Sequence, residues 1–239
     1  MSVLQSPSST SRRTDSATAS SETSLDLFTR ALIFVEENRT LLYGLLVAVV
    51  ALAIAIPGYL YYQQQQADAA NEMLGQTLPL YEQGRYQEAL DGTADRPGLR
   101  TIAEQYGGTP AGNLATFYAG DALYQIESYD EALTYFEQYD KDADFLGASA
   151  YAAEAAIYEN QGDVQRAAEQ YEAAATHYES DLTTPRYLLS AGRAYEKAGA
   201  YAEARRVYTT IQDEYSDTPQ AQQAERFLAR VAARQGAAQ

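Results

Sequence analysis

The sequence lacks most of the side chains on which thiol and metal chemistry depends. Its 239 residues include no cysteine, no tryptophan and one histidine, His177. Without cysteine the chain can form no disulfide and carry no lipid on a thiol, and one histidine supplies neither a metal site nor a nucleophile–base pair. No GxxxxGK[ST] or GxGxxG phosphate-binding motif is present either. We therefore predict that the protein is not an enzyme and uses no cofactor or metal ion.

One run of carboxylates needs separate consideration. Asp140, Asp142 and Asp144 alternate as they do in a calcium-binding loop. The glycine at the sixth position and the glutamate at the twelfth position of such a loop are missing, however. The run is more typical of a helix end followed by a turn.

Positive charge is also scarce. The chain has 17 Lys and Arg against 33 Asp and Glu, a net charge of −16, and only two of the bases are lysines. Residues 67–239 carry 28 of the acids and 13 of the bases. Such a surface repels phosphates, which argues against a nucleic-acid partner. Excess acid with little lysine suits a salt-loving organism, and it also suits an ordinary well-solvated surface.

Charge is absent altogether from residues 41–62, LLYGLLVAVVALAIAIPGYLYY. A helix of this length rises about 33 Å, enough to cross a hydrocarbon core of about 30 Å. A buried core helix and a signal peptide cleaved near Ala67-Asp68-Ala69 are the alternatives. The apolar run is longer than a signal peptide requires and begins far from the N-terminus. We predict a transmembrane helix over residues 41–62.

The arginines predict the orientation of this helix. Four of them precede the apolar run, at positions 12, 13, 30 and 39, whereas the first base after it is Arg85. By the positive-inside rule the N-terminus is cytoplasmic, and the C-terminal domain is periplasmic if the cell is Gram-negative. We therefore expect the protein in the inner (plasma) membrane with a single span.

The residues before the span form two segments. Residues 1–24 contain 13 Ser or Thr and are predicted to be a disordered cytoplasmic tail. Residues 25–40 form a juxtamembrane segment, which is either an amphipathic helix on the membrane surface or the start of the span.

The rest of the chain, residues 63–239, repeats itself. The phrases GRYQEAL, ESYDEALTYFEQY, GDVQRAAEQYEAA and GAYAEARRVYTTI share an alanine, at positions 89, 132, 167 and 204, with spacings of 43, 35 and 37 residues. Gly120, Ala155 and Gly192 lie 12 residues before the last three of these alanines. A period near 34 residues with helix-turn-helix content resembles the tetratricopeptide repeat family. The resemblance implies an α-solenoid that binds proteins, so the expected fold is all-α, with the predicted transmembrane helix ahead of the solenoid.

The pattern predicts helix pairs over 67–83 and 85–106, 112–126 and 129–140, 147–160 and 163–179, and 186–198 and 200–215. The second helix is interrupted by DGTADRPG at 91–98. Residues 219–234 are predicted to form a terminal helix that caps the stack.

The layout is also similar to a narrower family, the YfgM-like ancillary subunits of the bacterial SecYEG translocon. The similar segments are residues 38–70 and 98–133. This resemblance implies a scaffold or chaperone whose partners are translocon subunits, periplasmic chaperones or secreted clients. Outer-membrane assembly and Tol–Pal coordinators share phrases such as DEYSDTPQAQQAE at 213–225. An envelope assembly adaptor that does not touch translocating chains is therefore the alternative.

The resemblance also implies a binding groove, because the first helix of each repeat lines the concave face. On that pattern we expect the groove to be lined by Leu114, Phe117, Asp121, Tyr124, Glu159, Asn160, Arg186, Leu189 and Arg193. Phe117 and Tyr124 are predicted to anchor a partner without supporting the core. Arg186 and Arg193 are seven residues apart, so they either meet a partner's acidic group or offset carboxylates such as Glu196.

Overall fold

A computed structural model describes residue 29 and residues 32–237, and their regular structure is helical. The predicted tail over 1–24 lies outside the described residues, as does part of the 25–40 segment. The helices are α1 (Arg39–Glu82), α2 (Tyr86–Asp91), α3 (Leu99–Tyr106), α4 (Pro110–Gln125), α5 (Tyr129–Gln138), α6 (Phe145–Gln161), α7 (Val164–His177), α8 (Thr184–Ala198), α9 (Tyr201–Glu214) and α10 (Pro219–Ala237).

The chain divides into two units, with the boundary between Tyr62 and Gln63. In the first unit the apolar side chains of α1 are exposed; Val47 and Ile54, for example, are 67% and 71% exposed. Within the described part of the chain, α1 is the one helix long and apolar enough to cross a membrane. Length and composition alone qualify it, so the predicted span stays a prediction.

The second unit begins with an irregular helical repeat. Gly92 has φ of 82° and ends α2, and a short turn leads to α3. Gly98 approaches so closely that a Cβ there would lie 2.2 Å from the Leu90 carbonyl oxygen. The Thr77 hydroxyl on α1 donates to the Pro97 carbonyl oxygen at 2.7 Å, which ties this turn to α1. The interruption predicted at 91–98 is confirmed.

Three regular pairs follow: α4 with α5, α6 with α7, and α8 with α9. The predicted small residues lie where paired helices approach most closely, and Ala132, Ala167 and Ala204 are fully buried. A Cβ on Gly120 would lie 3.1 Å from the Phe136 ring, and a Cβ on Gly192 would lie 2.3 Å from the Tyr208 ring. Gly120 of α4 and Gly192 of α8 thus each make room for an aromatic ring of the helix that follows.

The helix ends carry their own signals. Thr109, Asp144 and Asp163 cap α4, α6 and α7, each accepting a hydrogen bond from a backbone N–H three residues later.

Two hydrophobic cores run through the unit and meet at α6, the first extending from Ala70 to Ile157 and the second from Tyr158 to Val231. Helix α10 buries Ala224 and Val231 in the second core.

Candidate protein-binding groove

The first helices of the three regular repeats, α4, α6 and α8, carry the nine predicted groove residues. At the α4 position, Asp121 accepts a short hydrogen bond from the Tyr81 hydroxyl of α1. The Tyr81 ring packs edge-on against Tyr118, with ring centroids 4.9 Å apart. Burial and the Asp121 carboxylate both raise the pKa of Tyr81. Sequence reasoning missed Tyr81, because it lies in a helix that continues from the apolar segment.

Tyr171 of α7 brings three predicted groove residues together. Glu159, Tyr124 and Arg193 are all close enough to act on its hydroxyl electrostatically. Burial is the main cause that raises the pKa of Tyr171 to about 12, and the charge of Glu159 is the next largest. Glu159 also pairs with Lys197 of α8. Tyr124, Glu159 and Arg193 thus converge from three different helices on a tyrosine that stays protonated at neutral pH.

The structure places three of the predicted residues against the core. Leu189 is 9% exposed and belongs to the second core, so it does not present a surface to a partner. Leu114 and Phe117 are partly buried and pack on the first core. The Phe117 ring lies 5.7 Å from that of Phe136, which is fully buried. The expectation that Phe117 anchors a partner without supporting the core is therefore wrong, since its truncation would open a cavity beside Phe136.

Tyr124 has a similar mixed role. It packs on the first core and meets the Tyr129 ring edge-on at 5.4 Å. Asn160 and Arg186 are exposed, and the Asn160 amide donates to the Ala156 carbonyl oxygen of its own helix. Of the nine predicted residues, Asp121, Glu159, Asn160, Arg186 and Arg193 therefore keep polar groups at the surface of the repeats.

Glu196 pairs with Arg230, a contact that the sequence pattern did not predict. Glu196 is buried and accepts hydrogen bonds from Arg230 Nε at 2.9 Å and from the Tyr208 hydroxyl at 2.8 Å. Burial raises the pKa of Glu196, but the hydrogen bonds from Arg230 and Tyr208 outweigh it and hold the pKa below its ordinary value. The suggestion that Arg186 or Arg193 offsets Glu196 is thus corrected: Arg230 of α10 does so.

His177 also has a structural role that the sequence did not predict. Its Nε2 lies 2.6 Å from the Asp142 carbonyl oxygen, and its ring meets that of Tyr151 at 5.0 Å. A Cβ on Gly147 would lie 2.5 Å from the same Nε2. His177 therefore fastens the end of α7 to the turn before α6.

These contacts suit recognition of a polypeptide. The groove residues offer carboxylates, guanidinium groups and tyrosine hydroxyls on rigid helices. Within residues 29 and 32–237, no group of three or more His, Asp or Glu side chains is arranged to hold a metal ion. Asp144, from the run that resembles a calcium loop, instead accepts the Gly147 N–H at 2.8 Å.

Comparison with known families identifies the type of repeat. A family model described as tetratricopeptide repeat matches residues 80–146, 152–219 and 189–239, which is more than half of the chain. The chain belongs to the tetratricopeptide repeat family. Repeats of this family form protein-interaction scaffolds and are typically non-catalytic.

Solved structures show the same fold. Two crystal structures of a putative kinesin light chain from Podosopora anserina, with nearly identical tetratricopeptide-like repeats, are 18% identical to this chain. They cover 71% of this chain and 88% of their own, with TM-scores of 0.51 and 0.52. At this identity the likeness establishes the fold alone. No curated protein sequence matches the chain.

Proposed function

We propose that this protein is a membrane-anchored protein-binding scaffold or chaperone of the bacterial cell envelope, associated with the Sec translocon and with emerging secreted proteins. The observation that carries the anchoring is the apolar stretch of α1, which is uncharged over residues 41–62 and leaves its large side chains exposed. Exposing such a surface to water costs about 25 cal/mol of free energy per Å² of apolar area. A bilayer covers it without that cost.

The orientation follows from the basic residues on the N-terminal side of the stretch. It gives a cytoplasmic N-terminus and a periplasmic repeat domain. Tethering supports a role at the translocon, because a repeat domain held at the membrane meets emerging chains at a high effective concentration. The similarity of residues 38–70 and 98–133 to YfgM-like translocon subunits supports the same partner.

Site-specific crosslinking in cells tests the partner. A photo-crosslinking amino acid is placed at Asn160 or Arg193, both exposed on the first helices, and at Glu203, exposed on α9, as the control. We expect the two groove positions to capture translocon subunits or secreted precursors and the control to capture neither. Capture of envelope-assembly proteins alone would favour the adaptor function, and no groove-specific capture would contradict both.

Protease protection tests the anchoring and orientation. A protease added to intact spheroplasts is expected to digest residues 63–239 and to spare the N-terminal segment. The control is lysed spheroplasts, in which both parts become accessible. A repeat domain that survives in intact spheroplasts but not in lysed ones would overturn the proposed orientation.

A further inference from the structure

The turns that lead from the second helix of one repeat to the first helix of the next lie along one edge of the repeat stack. We call this surface the turn edge and define it as residues 140–145, 178–182 and 214–217. Neighbouring turns touch: His177, next to the second turn, contacts Asp142 in the first. Asp181 of the second turn and Glu214 and Asp217 of the third line one cleft of about 210 Å³.

The turn edge holds the large apolar side chains that the repeat unit leaves in water. Among the described residues of the repeat unit, Phe145, Tyr178 and Leu182 are the exposed large hydrophobic residues, at 52%, 39% and 74% exposure. Phe145 is two residues from Gly147, which His177 approaches, and Tyr178 follows His177. These side chains are grouped on one edge and are not scattered over the unit, which is typical of an interaction surface.

The same edge is strongly acidic. Each of its three turns carries two or three carboxylates. Burial raises the pKa of the nearby Tyr215 hydroxyl, and Glu214, Glu179 and Asp181 raise it further, so carboxylates of two turns converge there. Lys141 does not offset them, because its ammonium group is turned inward, 2.9 Å from Glu154 and donating to the Phe136 carbonyl oxygen. Arg186, near the start of α8, is exposed beside this edge.

These carboxylates are not explained by the fold. Within the described residues, the acids of the three turns take part in none of the ion pairs that join different elements of the repeat unit, which use Asp91, Glu131, Glu154, Glu159, Glu172 and Glu196 instead. Glu179 and Glu214 also lie at or just beyond helix C-termini, where negative charge is unfavourable. Asp144, which caps α6, is the exception.

We infer that the turn edge is a second docking surface, separate from the groove, for a partner segment that is both cationic and apolar, such as a Lys- or Arg-rich amphipathic helix. The apolar side chains of such a segment cover Phe145, Tyr178 and Leu182 while its bases meet the carboxylates around them. Anionic lipid headgroups have the wrong sign for this surface. The inference rests on the proposed protein-binding function but concerns a different face and requires no Sec association.

The test uses the full chain in phosphatidylcholine nanodiscs and a fluorescent 14-residue peptide of Lys and Leu with helical amphipathic spacing. Two further peptides replace Lys by Glu or Leu by Ser, and empty nanodiscs supply the background. Fluorescence anisotropy is expected to show saturable binding of the Lys–Leu peptide alone. Raising the salt from about 0.1 to 1 M, which shortens the Debye length from about 10 to about 3 Å, is expected to weaken it.

Two sets of variants locate the binding. F145S/L182S and D142N/E179Q/D181N, which alter the turn edge, are each expected to weaken binding about tenfold or more. The matched control E104Q/E127Q/E203Q changes the net charge by the same amount at exposed positions elsewhere, and is expected to change binding less than about threefold. Circular dichroism melting checks that all variants fold, which their exposed positions favour.

Equal weakening by the edge and control triple variants would show attraction to net charge alone and would overturn the inference. Undiminished binding of the Lys–Leu peptide to F145S/L182S would overturn the inference as well. A crosslinking amino acid at Leu182 gives an independent reading, since it is expected to label the Lys–Leu peptide and not the Glu–Leu peptide. If groove crosslinking succeeds in cells while these outcomes fail, the inference is wrong and the proposed function still stands.

Discussion

At the residue scale, tyrosine hydroxyls donate hydrogen bonds to carboxylates of other helices. Tyr81 donates to Asp121, Tyr195 to Glu172 at 2.6 Å, and Tyr208 to Glu196 at 2.8 Å. Each bond joins two different helices. An aromatic ring in this position fills the space between helices. At Glu196, which is buried, the hydroxyl also offsets part of the cost of burying a carboxylate.

The Tyr208–Glu196–Arg230 contact gives a prediction with a defined pH dependence. Tyr208→Phe keeps the buried ring and removes one hydrogen bond to a buried carboxylate. We expect it to lower the free energy of unfolding by about 1.5–3 kcal/mol at pH 7. Because the folded-state pKa of Glu196 is lowered, its contribution is present above the unfolded value of about 4.3 and is lost as the pH falls through the folded value.

The loss caused by Tyr208→Phe should therefore shrink in acid. Urea unfolding of the full chain in non-ionic detergent at pH 7 and near pH 3 measures both values. The control is Tyr158→Phe, because the Tyr158 ring is also buried, at 9% exposure against 0% for Tyr208, and contacts Arg166 through its face. That variant is expected to be nearly neutral at both pH values. A Tyr208→Phe deficit that does not change with pH would mean that Glu196 is not the group responsible.

At the element scale, the sequence predicts positions that recur in phase and misses contacts that depend on packing. Gly192 and Ala204 were identifiable because small residues recur at the corresponding positions of the earlier repeats. The pairing of Glu196 with Arg230 was not, since the two are 34 residues apart and the capping helix departs from the repeat. Leu189 lies between Arg186 and Arg193 at helical spacing, yet α8 is packed on more than one side and buries it.

The glycines of the paired helices give the prediction that belongs to this scale. Glycine costs about 1 kcal/mol relative to alanine inside a helix, so alanine is stabilising where space allows it. At Gly192 a Cβ would lie 2.3 Å from the fully buried Tyr208 ring. We expect Gly192→Ala to destabilise by about 1–3 kcal/mol through overpacking.

Gly75 is the matched control, because it lies in α1 within the repeat unit with nothing within 4 Å of its Cβ position. Gly75→Ala should stabilise by roughly 0.5–1 kcal/mol. Gly120→Ala, where the nearest Phe136 atom is 3.1 Å away, should fall between the two. Urea unfolding ranks the three variants. The same stabilisation at Gly75 and Gly192 would show that the helices do not depend on close approach at Gly192.

At the scale of the whole molecule, the fold leaves much of its negative charge without an intramolecular partner. Ion pairs such as Glu131–Arg100 and Glu172–Arg206 join helices of the repeat unit, but bases number 13 against 28 acids in residues 67–239. Like charges repel in the compact state and move apart on unfolding. The folded repeats therefore carry an electrostatic cost that depends on the salt around them.

This cost predicts that salt stabilises the protein. Between about 0.1 and 1 M sodium chloride the Debye length falls from about 10 to about 3 Å, so repulsion between separated carboxylates is largely screened. We expect the melting temperature of the full chain in non-ionic detergent to rise over this range. The variants D142N/E179Q/D181N and E104Q/E127Q/E203Q each remove three negative charges, so both should start from a higher melting temperature and gain less from salt. A flat or falling melting temperature for the unaltered chain would mean that the ion pairs between helices, which salt weakens, outweigh the repulsion between carboxylates. In that case the acidic surface is not an adaptation to high salt.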